Sequence, residues 1–139
     1  MDKVLLDTDI FSEVLKGKDQ SVVNRATAYH AVYGRYTSSL ITLLEIVKGY
    51  QKVQREDRIK QFLTLASAVE WLTLDLASAE IAGRILGELE RTGHPIGRAD
   101  PLIAAIALQY DLTLVTGNTR HYQHIQHLGY SLKLDNWRL

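Results

Sequence analysis

Short apolar runs of strand length alternate along this chain with longer segments of helical period, and no feature constrains its fold more strongly. The strand-like runs are Lys3–Leu6, Tyr36–Ser39, Val69–Leu74, Thr113–Thr116 and Ser131–Leu134. Helices are expected over Asp9–Leu15, stopped by Gly17, and from an Asp19 cap to about Val32. Others are expected over Ile41–Val53, Glu56–Ser67, Ser78–Thr92 and Pro101–Tyr110, the last apolar on nearly every face and therefore buried. No element is assigned between Thr116 and Ser131. Strands separated by helices pair in parallel through right-handed crossovers, so the expected fold is a layered α/β structure around a parallel sheet. Such sheets bind ligands beyond the carboxyl ends of their strands.

Polar side chains with metal-binding capacity stand at or near those ends. Asp7 closes Val4-Leu5-Leu6, and Asn118 follows Leu114-Val115-Thr116. Glu45 lies inside Leu43-Leu44-Glu45-Ile46-Val47, and Asp100 opens the apolar run from Leu102 to Leu108. A carboxylate among Leu, Ile and Val is costly to bury without a partner. Carboxylates converging in one crevice repel each other unless a cation neutralises them. Mg²⁺ or Mn²⁺ suits such a set, because it takes oxygen ligands and can share them with water and phosphate. Asp7, Glu45 and Asp100 are the candidate metal ligands or water-positioning groups, and no Cys or paired His beside them suggests zinc. Each also has a purely structural reading. Asp7 and Asp100 suit helix starts, Glu45 has capping-box spacing from Thr42 or can pair with Lys48, and Asn118 suits a turn.

Composition narrows the functional classes. The 139 residues suit one ordinary domain, with 16 basic against 16 acidic side chains. That balance gives no overall pull toward nucleic acid or anionic membrane, so a polyanionic partner needs a local basic patch. There is no cysteine, hence no disulfide framework or thiolate chemistry. The opening Met1-Asp2-Lys3 lacks a signal-peptide h-region, and no apolar run approaches membrane-spanning length. The expected location is the cytoplasm.

Four segments taken together resemble the PIN-domain proteins, specifically the VapC-type ribonuclease toxins of toxin–antitoxin pairs. They are Leu5-Leu6-Asp7-Thr8-Asp9-Ile10, Thr42 to Gly49, Ile96 to Ala105, and Leu114 to Tyr122, in that order. The resemblance extends to the closing Asp135-Asn136-Trp137. It implies a three-layer α/β/α sandwich over residues 1–139 and endonucleolytic cleavage of RNA that depends on Mg²⁺ or Mn²⁺. By resemblance, Asp7, Glu45 and Asp100 hold the metal and Asn118 takes the fourth active-site position. Thr8, Asp9, Thr116 and His121 give support. Many relatives carry Asp at the place of Asn118, or an acid at that of His121. The missing charge implies one well-held metal, with a second that arrives with substrate. A protein antitoxin and a second copy of the chain are the implied partners. The apolar supply of the first two helices and of Gln51–Ser67 is where a partner surface is expected.

Weaker signals stay open. Lys48 and Lys52 begin the densest basic stretch, and with Arg98 and Arg120 they are the candidate RNA contacts; a solvated helix surface would look the same. Tyr29, Tyr33 and Tyr36 could stack on bases or pack internally. His121, His124 and His127 are spaced for one helix face, but no Cys or acidic partner makes them a zinc set. Two other functions compete with the nuclease. One is a catalytically silent RNA- or protein-binding module. The other is a small phosphatase with Asp7 as nucleophile, against which Phe11 and the absence of a later double-Asp motif both count.

Overall fold

The computed structural model describes all residues from Met1 to Leu139. Five strands form one parallel sheet: β1 (Val4–Leu6), β2 (Thr37–Ser39), β3 (Glu70–Leu72), β4 (Thr113–Val115) and β5 (Leu134–Asp135). Seven helices connect them: α1 (Thr8–Lys16), α2 (Gln20–Tyr33), α3 (Leu40–Lys52), α4 (Glu56–Ala66), α5 (Leu76–Arg91), α6 (Ala99–Gln109) and α7 (Thr119–His127).

Helix boundaries follow local chemistry. Asp19 accepts from the Val22 N–H and Ser39 from the Thr42 N–H, while Asp75 and Ser78 form a reciprocal capping box. Gly17 ends α1 in the left-handed region at φ 65°, which L side chains rarely adopt.

Alternation along the strands divides the core in two. Leu5 and Leu114 face one side, where they meet Ile85, Leu89, Ile103, Ile106, Tyr122 and Ile125 of α5, α6 and α7. Val4, Leu6 and Val115 face the other, against Ile10, Phe11, Val22, Tyr29 and Phe62 of α1, α2 and α4. The result is the expected α/β/α sandwich.

Two expectations need correction. The stretch between Thr116 and Ser131 holds α7, a helix whose polar sequence hides its period because only Tyr122 and Ile125 are buried. The last strand is Leu134–Asp135 rather than Ser131–Leu134; Leu132 is buried under the sheet without joining it.

The strand order is β3-β2-β1-β4-β5. From β1 the chain winds outward through β2 and β3, then returns to the other side of β1 for β4 and β5. The direction of winding therefore reverses between β1 and β4, leaving a crevice at their carboxyl ends. Leu6 is in register with Val115, which puts Asp7 beside Thr116 at that crevice.

Candidate active site

Asp7 extends the β1–β4 ladder by one bond, its backbone N–H donating to the Val115 carbonyl at 2.9 Å. The residue is 2% exposed. Its Oδ1 accepts from the Thr8 backbone N–H at 2.9 Å. Oδ2 accepts from the Thr116 hydroxyl at 2.8 Å and the Tyr122 hydroxyl at 3.1 Å. No cation pairs with it. Burial, then the charge of Asp9, push its pKa up to about 7. The hydrogen bonds from Thr116 and Thr8 oppose that rise, and the charge of Asp100 adds to it. Burial also holds the Tyr122 phenol well above its usual range, and the charges of Asp7 and Asp100 act in the same direction.

Asp9 sits one helical step further on. Its Oδ1 accepts from the Ile10 N–H at 2.8 Å, and Oδ2 from the Gly117 N–H at 2.8 Å. The Arg138 guanidinium, near the end of the chain, lies 3.4 Å from the same Oδ2. Burial raises the Asp9 pKa; the Gly117 and Ile10 hydrogen bonds and the Arg138 charge counter it.

Glu45 occupies the middle of α3 and accepts the Thr8 hydroxyl at 2.6 Å; that hydroxyl is also 3.0 Å from the Thr42 hydroxyl. Thr42 is the third residue of α3 under the Ser39 cap, so Glu45 takes no part in a capping box and forms no ion pair with Lys48. Asp100 is the second residue of α6, whose start has no side-chain cap bond. Its Oδ2 stands 3.1 Å from His121 Nδ1. The helix-start explanations of Glu45 and Asp100 thus do not account for their side chains.

The fold therefore brings Asp7, Asp9 and Asp100 within electrostatic reach of one another, with Thr116 and His121 bonded among them. Glu45 is tied in through Thr8. Asn118 is different. It precedes α7 and is exposed, and only its backbone is engaged: its N–H donates to Thr116 Oγ1 at 3.0 Å and its carbonyl accepts from the His121 N–H at 3.1 Å. Lys48, Lys52, Arg98 and Arg120 are exposed and carry no ion pair. The tyrosines stack internally, Tyr29 on Tyr33 at 4.5 Å and on Tyr36 at 6.2 Å, with Tyr29 fully buried. His124 stacks on His94 rather than joining His121 in a ligand set.

Sequence reasoning gave no role to Tyr122 or Arg138. Tyr122 had a signal, since it and Ile125 are the spaced apolar pair of α7. Arg138 had none.

The donor set fits a hard divalent cation. Its oxygens are held in fixed positions, and its negative charge is compensated only at Asp9 and, when His121 is protonated, at Asp100. No three Asp, Glu, His or Cys side chains stand close enough together to hold a metal ion by themselves. A hard ion that keeps several waters and takes phosphate oxygens does not require such a trio.

Residues 4–126 match the PIN domain family. The chain is similar to the tRNA(fMet)-specific endonuclease VapC of Shigella flexneri, with 33% identity over 136 residues covering 97% of this chain and 98% of that protein. The chain is a VapC-type member of the PIN-domain family. Ribonuclease VapC2 of Haemophilus influenzae is another relative, 29% identical over 139 residues covering 97% of this chain and 98% of that one. Among solved structures, DNA-bound VapBC from Salmonella typhimurium superposes with a TM-score of 0.81 at 30% identity, covering 99% of both chains. PIN-domain membership spans both core layers and every segment that contributes an acid to the site.

Proposed function

We propose that this chain is a divalent-metal-dependent endoribonuclease, a single nuclease domain over residues 1–139 acting as the toxin of a toxin–antitoxin pair. The observation that carries the reading is Asp7: a buried carboxylate with no cation beside it, at the crevice where the sheet reverses its winding. Asp7 and Asp100, with Glu45, would hold Mg²⁺ or Mn²⁺. When bound, the ion supplies charge stabilisation at the phosphodiester and makes water a better nucleophile.

The remaining work belongs to the chain. Thr116 and Tyr122 fix one oxygen of Asp7, and Thr8 orients Glu45. His121 contacts Asp100 on the solvent side and can carry a proton to or from the crevice. Lys48, Lys52, Arg98 and Arg120 have free charges for an RNA backbone. Phe11 in the core and the absence of a later double-Asp motif both count against a phosphatase nucleophile at Asp7.

Exposed apolar side chains support the protein partners. Val53, Leu63 and Leu65 lie in the stretch Gln51–Ser67, and Leu40 and Leu44 are one turn apart on α3. These suit an antitoxin and a second copy of the chain.

The test is cleavage of total RNA and of tRNA(fMet), the RNA that the Shigella relative's name specifies. Cleavage should require Mg²⁺ or Mn²⁺ and fall to background in EDTA and in Asp7→Asn. Activity that survives either condition would reject the metal mechanism. The exposed, unengaged side chain of Asn118 favours one other reading, a silent binding module. A chain that binds RNA but cuts none under any metal would establish that module instead.

A further inference from the structure

We infer that the groove between α1 and α3 is a single-stranded RNA subsite, holding the nucleotide next to the scissile phosphate. The inference rests on the ribonuclease reading and names where its substrate lies.

The groove encloses about 330 Å³ and begins at Thr8 and Glu45, so it opens directly from the acidic crevice. That volume is at the lower end for small-ligand sites, a scale suited to one nucleotide. Thr8, Ser12 and Lys16 follow one another at successive turns of α1 and form one wall. Glu45 and Gly49, one turn apart on α3, form the other, with Tyr50 beside them.

Three features select RNA as the occupant. The first is Gly49. Glycine in a helix interior is unfavourable, and a Cβ built at Gly49 would meet nothing within 4 Å. No atom of the fold stands over that position, so the groove wall is open there. The second is charge. Lys16 is exposed without an ion pair, and Lys52, seven residues beyond Glu45, shares that residue's face of α3. The groove thus runs from carboxylates that suit a metal to free cations that suit the next phosphate. The third is Tyr50, a partly buried aromatic residue on the groove wall, the residue type on which bases stack at little cost in sequence selectivity. Ile46, Tyr50 and Val53 give the walls an apolar share, so a protein segment is the competing occupant, and release of a co-expressed protein by the groove variants would reveal it.

Binding of fluorescein-labelled decauridylate in EDTA, followed by anisotropy, separates substrate capture from cleavage. Lys16→Ala should weaken binding several-fold and reduce the logarithmic salt slope by about 0.7, the value for one phosphate contact on a single strand. Gly49→Leu, which fills the groove, should weaken binding about tenfold. Both should raise KM for RNA cleaved with Mn²⁺ while kcat stays near the parent value. Lys133→Ala, whose ammonium pairs with Asp111, should leave binding unchanged. The inference falls if the parent chain binds and cuts RNA while Lys16→Ala and Gly49→Leu match it. It also falls if those variants lose kcat alone, or keep RNA binding and release a co-expressed protein. Should Gly49→Leu fail to fold, Lys16→Ala decides. A parent chain that neither binds nor cuts RNA overturns the ribonuclease reading itself, and the subsite with it.

Discussion

At the scale of the residue, Asp7 carries a measurable signature. Its folded pKa near 7 exceeds the unfolded value of 3.8, so between those limits the folded chain binds more protons than the unfolded one. Stability of the metal-free protein must therefore fall as pH rises through this window, by an amount on the order of a few kcal/mol. Thermal melts in EDTA should be higher near pH 5 than near pH 7.5, and Asp7→Asn should flatten that dependence. A melt that rises with pH would contradict the burial of an unpaired carboxylate. Gly117 makes a second test. A Cβ there would collide with the Arg138 guanidinium and lie 2.6 Å from Asp9 Oδ2. Gly117→Ala should cost about 1–3 kcal/mol in denaturant unfolding. It should also weaken Mn²⁺ binding, because Asp9 cannot move away without losing the Gly117 N–H. The acids themselves were visible in the sequence, since a carboxylate bordering an apolar run is conspicuous. Their supporting hydroxyls were not, because Thr and Tyr are ordinary residues until something charged is placed beside them.

The helices differ in how openly they announced themselves. α6 showed through continuous apolarity, and the α2 cap through Asp19, both properties of adjacent residues. α7 escaped because a helix with two buried positions lacks the periodic stripe that pattern reading depends on. Yet α7 delivers Tyr122 to Asp7 and His121 to Asp100. Tyr122→Phe keeps the packed ring and removes one donor from Asp7. It should cost about 1 kcal/mol of stability and lower Mn²⁺ affinity by roughly 10–100-fold. A variant with unchanged metal affinity would make the Tyr122 hydroxyl purely structural. Asp100→Asn should abolish RNA cleavage and leave the melt nearly unchanged, since Asp100 caps nothing. A fall of tens of degrees would mark it as a structural residue instead.

For the whole molecule, the balance of charge and metal decides stability. Calorimetric titration of Mn²⁺ into antitoxin-free protein near pH 7.5 should give one main site; two tight sites would show that the uncharged Asn118 matters less than proposed. Binding should raise the melting temperature as metal relieves Asp7, by the equivalent of about 2.7 kcal/mol at a hundredfold excess over Kd. Near pH 5 the gain should shrink, since protons then compete for the same oxygens.

By itself the sequence determined the architecture and the cast. Alternating short apolar runs and helical segments left a parallel layered sheet as the outcome, and the four motif segments marked which acids to watch. Only the tertiary structure decided what surrounds them. The order β3-β2-β1-β4-β5 places the end of β4 beside that of β1, bringing Thr116 and Tyr122 to Asp7 across 109 and 115 residues. The same closure seats Arg138 on Asp9 across 129 residues. Periodicity records which face of an element is buried, but not which strand lies beside which. Contacts this distant in the chain are fixed by strand order, and strand order is settled by the packing of both helical layers at once.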